Sequence, residues 1–279
     1  MNGFLDHLNA SVADVARMPR PRFESGLSAD AYHWLARKHV GGAVHEPATI
    51  AAMSATRRWF GRLSSGTPHI FDAGAHYGYF SLVAEQVFWN AVVTAFEMHP
   101  GIIPDLVANR GPRTRCVHAA LSDQSRENVR VWISGFNIYE EPEGGWAALE
   151  TVPGAMKERG ENNRGRGFAD VDFITLDDYC ATNPAPDLIK IDVEGYQAKA
   201  LAGAMGTIRR HKPVIIIELH DPEKLARFGT TNAATVKPLF DLGYTGFWCG
   251  NFRDADARFE AVSEMRDYHE KLSIMVFVP

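Results

Sequence analysis

Through the first sixty-five or so residues, apolar positions recur at helical spacing and no strand-like alternation is visible. Leu5, Leu8, Val12 and Val15 predict one helix, and Pro19 and Pro21 interrupt the pattern. Ser28 is placed to cap a second helix carrying Ala31, Trp34 and Leu35, with Gly41-Gly42 as its stop. Pro47 suits the first turn of a third, with Ile50, Met53, Phe60 and Leu63 on one face. From His69 the rhythm changes to short apolar runs alternating with amphipathic segments. Strands are predicted at 69–73, 91–97, 114–120, 187–193 and 213–219. Helices are predicted over 78–88 and 196–210, the latter striped by Tyr196, Ala200, Leu201, Ala204 and Ile208. A run such as Val214-Ile-Ile-Ile217 suits a parallel sheet covered on both faces. The alternation therefore predicts a doubly wound α/β sheet, mostly parallel, with its ligand beyond the carboxyl ends of the strands.

Residues 1–66 then form an N-terminal helical appendage to a domain spanning 67–279. Two roles are open for it: a cap over a substrate pocket, or helices merely packed on the sheet. Residues 122–170 break the alternation as a polar, glycine-rich insertion containing Glu140-Glu-Pro-Glu-Gly-Gly145 and Asn162-Asn-Arg-Gly-Arg-Gly167. Extra strands at 129–134 and 173–179 are expected to flank a loop there. Two more, at 244–249 and 271–278, close the chain.

Composition narrows the class of partner more than the fold. A formal net charge of −5 leaves no basic footprint, which argues against nucleic acid and, more weakly, against an anionic membrane surface. No apolar stretch is long enough to span a bilayer, and Met1-Asn-Gly-Phe-Leu-Asp6 lacks the basic start and apolar core of a signal peptide. Cys116, Cys180 and Cys249 lie far apart without paired-ligand spacing, as free thiols in a reducing cytoplasm do. A cytoplasmic protein acting on a small molecule is the expectation.

The chemistry concentrates at strand ends. His69-Ile-Phe-Asp-Ala-Gly-Ala-His-Tyr-Gly-Tyr-Phe80 reads as a strand ending in Asp72, a turn bracketed by Gly74 and Gly78, and a helix. The next strand ends in Glu97, where a ribose-binding carboxylate would stand. Two acids at adjacent strand ends repel each other and add nothing to a core, so hydrogen bonds to ribose hydroxyls give them a purpose. A strand-to-helix turn without a ligand is the alternative. The loop is D-x-G-x-x-x-G, with Ala75 and His76 inside it, and lacks the middle glycine that lets a dinucleotide pyrophosphate approach. A nucleoside cofactor without pyrophosphate, and with a cationic group near Asp72, fits better. S-adenosylmethionine meets both conditions.

A second cluster lies in Asp187-Leu-Ile-Lys-Ile-Asp-Val-Glu-Gly195, where Lys190, Asp192 and Glu194 alternate onto one strand face. Desolvating three charges is costly unless they meet one another, a ligand or a metal. Glu218 and His220 share a face at the end of the following strand, beside Asp192 and Glu194. Such a group can bind magnesium, manganese or iron, or it can place His220 as a general base. It can also be purely structural. All three roles stay open.

Several pieces of the chain resemble the FkbM-type methyltransferases: Phe71-Asp-Ala-Gly-Ala-His-Tyr-Gly-Tyr-Phe80, Ala95-Phe-Glu-Met-His-Pro100, Ala119-Ala-Leu-Ser-Asp123 and Thr175-Leu-Asp-Asp-Tyr179. Asp187 to Gly195, Leu201-Ala-Gly-Ala204 and Pro213 to His220 continue the series, which covers roughly residues 67 to 250. The resemblance implies a class I methyltransferase fold, Rossmann-like, usually seven-stranded with an antiparallel last strand. It implies S-adenosylmethionine as cofactor, with Asp72, Gly74, Ala75, His76 and Gly78 at the methionine side. Glu97 would meet the ribose, Ser122 and Asp123 the adenine, and Asp192 the transferring methyl, with Met98 also among the cofactor-binding residues. The family commonly has asparagine where this chain has His76.

The implied reaction is O-methylation of a hydroxyl on a small molecule such as a polyketide, a sugar or another secondary metabolite. A hydroxyl acceptor must lose its proton, so Asp192, Glu218 and His220 are candidates for that step, as base or as ligands of magnesium or manganese. N-methylation of a small molecule or peptide, an NAD(P)-dependent oxidoreductase and a non-catalytic module are the alternatives. Trp34, Trp59, Tyr77, Trp146 and Trp248 are available as pocket walls, although aromatics are core residues by default.

Overall fold

Residues such as Ile70, Ile189 and Ile215 are wholly buried because helices cover both faces of the sheet that holds them. The computed structural model describes residues 2–15, 18–19, 21–24, 26–38, 46–134, 137–141 and 167–279. Helices α1 (Asn2–Val15), α2 (Ala29–Arg37), α3 (Pro47–Trp59) and α4 (Gly61–Ser64) precede the first strand. Then come β1 (His69–Ala73), α5 (Tyr79–Val87), β2 (Val92–Glu97), α6 (Ile103–Asn109) and β3 (Thr114–His118). The insertion supplies β4 (Ala120–Leu121), β5 (Arg126–Ser134), β6 (Asn137–Tyr139) and β7 (Gly167–Ile174). After α7 (Leu176–Thr182) follow β8 (Leu188–Ile191), α8 (Gln197–Ala202), α9 (Met205–His211) and β9 (Val214–Leu219). The chain closes with α10 (Pro222–Ala226), α11 (Asn232–Asp241), β10 (Thr245–Cys249), β11 (Glu260–Val262) and β12 (Ser273–Val278).

The main sheet runs β11-β10-β12-β9-β8-β1-β2-β3. Strands β3, β2, β1, β8 and β9 pair in parallel, and β12 enters antiparallel between β9 and β10. This is the expected mostly parallel sheet with an antiparallel last strand, with β11 added at one edge. Because the chain leaves β1 toward β2 on one side and later returns to β8 on the other, a crevice opens at the carboxyl ends of β1 and β8.

One apolar cluster joins Phe4, Leu8, Leu35 and Met53 of the N-terminal helices to Val83 of α5 and Ile70 and Ile216 of the sheet. Phe4 meets Phe247 edge-on with ring centroids 5.2 Å apart, so α1 packs directly on the sheet. Leu201, Ile208 and Leu239 cover the opposite face. Val131, Ile133, Val171 and Phe173 form a separate small core under the second sheet, ordered β4-β7-β5-β6.

Four expectations change in detail. The strand expected at 173–179 ends at Ile174, because the Thr175 hydroxyl accepts from Asp178 N at 2.9 Å and caps α7 instead. The helix expected over 196–210 is two helices broken at Gly203, whose absent Cβ would lie 1.9 Å from the Ser122 carbonyl oxygen. The strand expected at 187–193 stops at Ile191, and Glu194 takes a left-handed backbone (φ 54°) that ends the alternation. The third helix stops at Trp59, with Phe60 extended and Leu63 on the short α4. The Gly41-Gly42 stop and the glycine-rich stretches 142–145 and 162–166 lie outside the described residues. Among the described residues no helix is long and apolar enough to cross a membrane.

Candidate active site

Beyond β1 the chain turns so tightly that Gly74 has φ +75° and an added Cβ would sit 1.8 Å from the Asp192 carbonyl oxygen. Only glycine fits there. The Gly74 and Ala75 amides both donate to the Phe96 carbonyl at 3.0 Å, tying the loop to the end of β2. Gly78, at φ +82°, turns the chain into α5 against Leu106.

Glu97 ends β2 inside the crevice. Its carboxylate accepts the His76 amide at Oε2 and the His99 amide at Oε1, each at 2.8 Å. Burial pushes its pKa up, and these backbone donors pull the other way. Asp72 has a different setting from the one expected. It lies behind the loop rather than in the crevice wall, with Oδ2 accepting from Ser81 Oγ at 2.7 Å and Oδ1 3.1 Å from Lys190 Nζ. Lys190 Nζ also donates to the Gly74 carbonyl at 3.3 Å. Burial opposes the lysine's charge, but Asp72 and Asp192 outweigh it and raise its pKa.

At the ends of β8 and β9 the structure brings Asp192, Glu218 and His220 together, one ligand atom from each lying within 4.8 Å of the others. Asp192 Oδ1 stands 3.8 Å from His220 Nε2, and its Oδ2 stands 3.7 Å from Lys190 Nζ. Glu218 Oε1 accepts from Arg253 Nη2 at 3.3 Å. Burial, with repulsion from Glu194 and Glu46, pushes the Asp192 carboxyl up to about 6 against the pull of Lys190. Burial and Asp192 hold Glu218 well above the usual carboxylate range. Burial and Lys224 lower His220 to about 4, leaving the imidazole neutral at pH 7. Glu194 departs from the expected quartet: it pairs with Lys224, whose charge overcomes the burial and lowers its pKa.

The crevice is a cleft of about 170 Å³ bounded by the glycine loop, Glu97, Met98, Asp192, Val193 and Glu194. Beside Glu97 its wall is Ala119, Ala120 and Leu121. Ser122 and Asp123 follow this wall without lining the cleft: Ser122 Oγ donates to Asp123 Oδ1 at 3.0 Å and shares a 3.3 Å hydrogen bond with the hydroxyl of Tyr196, which does line it.

The family model of the methyltransferase FkbM domain matches residues 72–268. The chain belongs to the FkbM methyltransferase family. No curated protein matches the sequence. Solved structures with distant likeness include methyltransferase FkbM from Methylobacillus flagellatus, at 14% identity and a TM-score of 0.42. That match covers 96% of this chain and 58% of the other, so the chain spans little more than half of that protein's length. The SAH-bound methyltransferase PaMTH1 of Podospora anserina matches at 12% identity and a TM-score of 0.41, over 98% of this chain and 94% of that one. Fibrillarin of Aeropyrum pernix, with S-adenosyl-L-methionine bound, matches at 10% and 0.39, over 82% and 73%.

Two further features shape the cleft of this FkbM-family chain. His76 holds a left-handed backbone (φ 52°), a conformation that asparagine and histidine enter more readily than most side chains, so either residue keeps the loop in shape. The second feature is the rest of the wall, of which the sequence suggested only Trp34. Trp34, Lys38 and Glu46 come from the N-terminal helices, while Ile138, Glu140, Phe173, Tyr196 and Phe228 come from the insertion and the loops beyond β8 and β9. Trp34 stacks 4.3 Å from the His76 ring, and Lys38 Nζ lies 4.2 Å above the Trp34 ring and 3.4 Å from Glu46. Thus α1 packs on the sheet, while Trp34 of α2 and the following Lys38 border the cleft. Of the other aromatics considered as walls, Tyr77 is buried behind the loop, Trp59 is exposed and Trp248 donates to Ser273 in the core. Trp146 lies outside the described residues.

Proposed function

We propose that this protein transfers the methyl group of S-adenosylmethionine to a hydroxyl oxygen of a small molecule. The observation that carries the reading is the placement of two carboxylates, Glu97 and Asp192, on the strands flanking β1, both facing the cleft over the glycine loop. The donor set suits this cofactor. The Glu97 carboxylate accepts backbone amides from His76, His99 and Met98 and keeps capacity for a ribose hydroxyl. Met98 and Ala119 to Leu121 make an apolar wall beside it for a base. Asp192, with Oδ1 lacking a hydrogen-bond partner among the described residues, offers negative charge to a cationic group.

The bound cofactor supplies an already activated methyl donor, so the chain's own residues have to bind, align and keep water out. Alignment and avoided solvent reorganisation contribute on the order of 7–11 kcal/mol in favourable cases. A hydroxyl acceptor must also lose its proton, and the Asp192, Glu218 and His220 cluster beside the loop is the chemistry available for that. A small acceptor is favoured because the cleft is walled by Trp34, Tyr196 and Phe228 and the chain has no basic footprint.

Calorimetric titration of the purified protein with S-adenosylhomocysteine and with NADH tests the cofactor. S-adenosylhomocysteine is expected to bind, and Glu97→Ala to weaken it by about 1.5–3 kcal/mol. Binding of NADH alone, or unchanged affinity in the variant, overturns the reading. Labelled methyl transfer to paired alcohol and amine acceptors tests the oxygen, and transfer to the amines alone would reassign it.

A further inference from the structure

We propose that Asp192, Glu218 and His220 form a divalent-cation site at the edge of the cleft. The imidazole of His220 is 4% exposed, and its Nε2 has no hydrogen-bond partner among the described residues. The same holds for Asp192 Oδ1, 3.8 Å away. Leaving such buried atoms unsatisfied is unfavourable, so the cluster is built for something that accepts lone pairs. Two carboxylates and a neutral imidazole, one atom from each within 4.8 Å of the others, make the mixed oxygen and nitrogen donor set of manganese, iron or magnesium.

The surroundings hold these donors in place as a ligand shell requires. Gln197 Nε2 donates to the Glu218 carbonyl at 2.9 Å, and Asn232 Nδ2 to the His220 carbonyl at 2.8 Å. Each carboxylate has an outer partner on one oxygen, Lys190 for Asp192 and Arg253 for Glu218, leaving the other oxygen to turn inward.

A cationic cofactor is the competing explanation. Among the described residues Asp72, Glu46, Asp192, Glu194 and Glu218 pair with Lys38, Lys190, Lys224 and Arg253, and a positive charge on the cofactor would add to these. That accounts for charge, but it leaves the imidazole Nε2 unsatisfied. Of the three, Asp192 borders the cleft, where a bound cation would hold an acceptor hydroxyl and ease loss of its proton. That role rests on the methyltransferase reading, whereas binding of the ion does not.

The test uses the full chain stripped with EDTA and titrated with Mn²⁺ alone, followed by calorimetry and by pulsed electron paramagnetic resonance. One Mn²⁺ per chain is expected, with nitrogen modulation from a coordinated imidazole. His220→Gln should abolish the modulation, and His220→Gln and Asp192→Asn should each weaken binding ~10-fold or more. Absence of Mn²⁺ binding at millimolar concentration overturns the proposal. So does bound Mn²⁺ without nitrogen modulation in the unsubstituted chain, a readout that does not depend on any variant folding. Affinity unchanged by both substitutions overturns it as well. Titration of the EDTA-treated chain with S-adenosylhomocysteine reports the cofactor reading separately, so failure of one leaves the other standing.

Discussion

Lys190 and Asp72 form a buried ion pair, Nζ to Oδ1 3.1 Å, and the same lysine reaches the Gly74 carbonyl at 3.3 Å. The pair joins β8 to β1 and fixes the loop over which the cleft is built. Its side chains are 5% and 2% exposed, so neither charge has water to fall back on. Lys190 also borders the cleft, 3.7 Å from Asp192 Oδ2, so the pair ties the strand core to the cleft wall.

Lys190→Met therefore strands the Asp72 carboxylate, which keeps the hydrogen bond from the Ser81 hydroxyl. The expected loss is about 3–5 kcal/mol, measured by urea denaturation at pH 7. Adding Asp72→Asn should recover most of it, because the penalty lies in the uncompensated charge. A double variant as unstable as the single one would locate the penalty in packing.

Gly74→Ala places a methyl against the Asp192 carbonyl oxygen in a left-handed backbone. Gly243, at φ +82° with nothing within 4 Å of an added Cβ, supplies the control. Gly243→Ala should lose about 1–2 kcal/mol from the backbone alone and keep its affinity for S-adenosylhomocysteine. Gly74→Ala should lose more stability and, by displacing Asp192, at least ~10-fold in that affinity. Equal effects at the two positions would remove the packing argument for the loop.

The strands were legible because a parallel sheet covered on both faces demands unbroken apolar runs, and β1, β2 and β9 supply them. Gly74, Gly78 and Glu97 were legible because loop geometry and strand ends constrain residue type directly. Glu194 was misplaced because strand periodicity says nothing about a left-handed residue that ends the strand. Trp34 and Lys38 lie one helical turn apart on α2, beside the buried Ala31 and Leu35 stripe. Periodicity marks that stripe as core, but which part of the cleft its edge meets depends on how α2 docks.

Trp34 and His76 join the N-terminal helices to the cofactor loop, with ring centroids 4.3 Å apart and an interplanar angle of 39°. Trp34→Ala should weaken S-adenosylhomocysteine binding by about 0.5–1.5 kcal/mol, read by calorimetry, because the loop loses its lateral support. His76→Asn should keep the left-handed turn and the amide bond to Glu97, and so retain binding within a few-fold. Loss of binding in the asparagine variant would show that the imidazole itself contacts the cofactor.

Glu140 fastens the insertion across the cleft, accepting from Arg126 at 2.7 Å, from Lys199 at 2.8 Å and from the Tyr196 hydroxyl at 2.5 Å. Burial pushes its carboxyl up, but these three donors override that and lower it from 4.5 to about 2. A carboxyl depressed in the folded state gives stability that is fully present above pH 4.5 and lost as pH falls through about 2. Arg126 and Lys199 are each more than a third exposed, so solvent screening limits the contribution to about 1–2 kcal/mol. Glu140→Gln should be less stable than the unsubstituted chain by that amount at pH 7. The difference should close between pH 4.5 and 2, measured by urea denaturation across the range. A gap that stays constant with pH would mean that shape, not charge, holds the insertion in place.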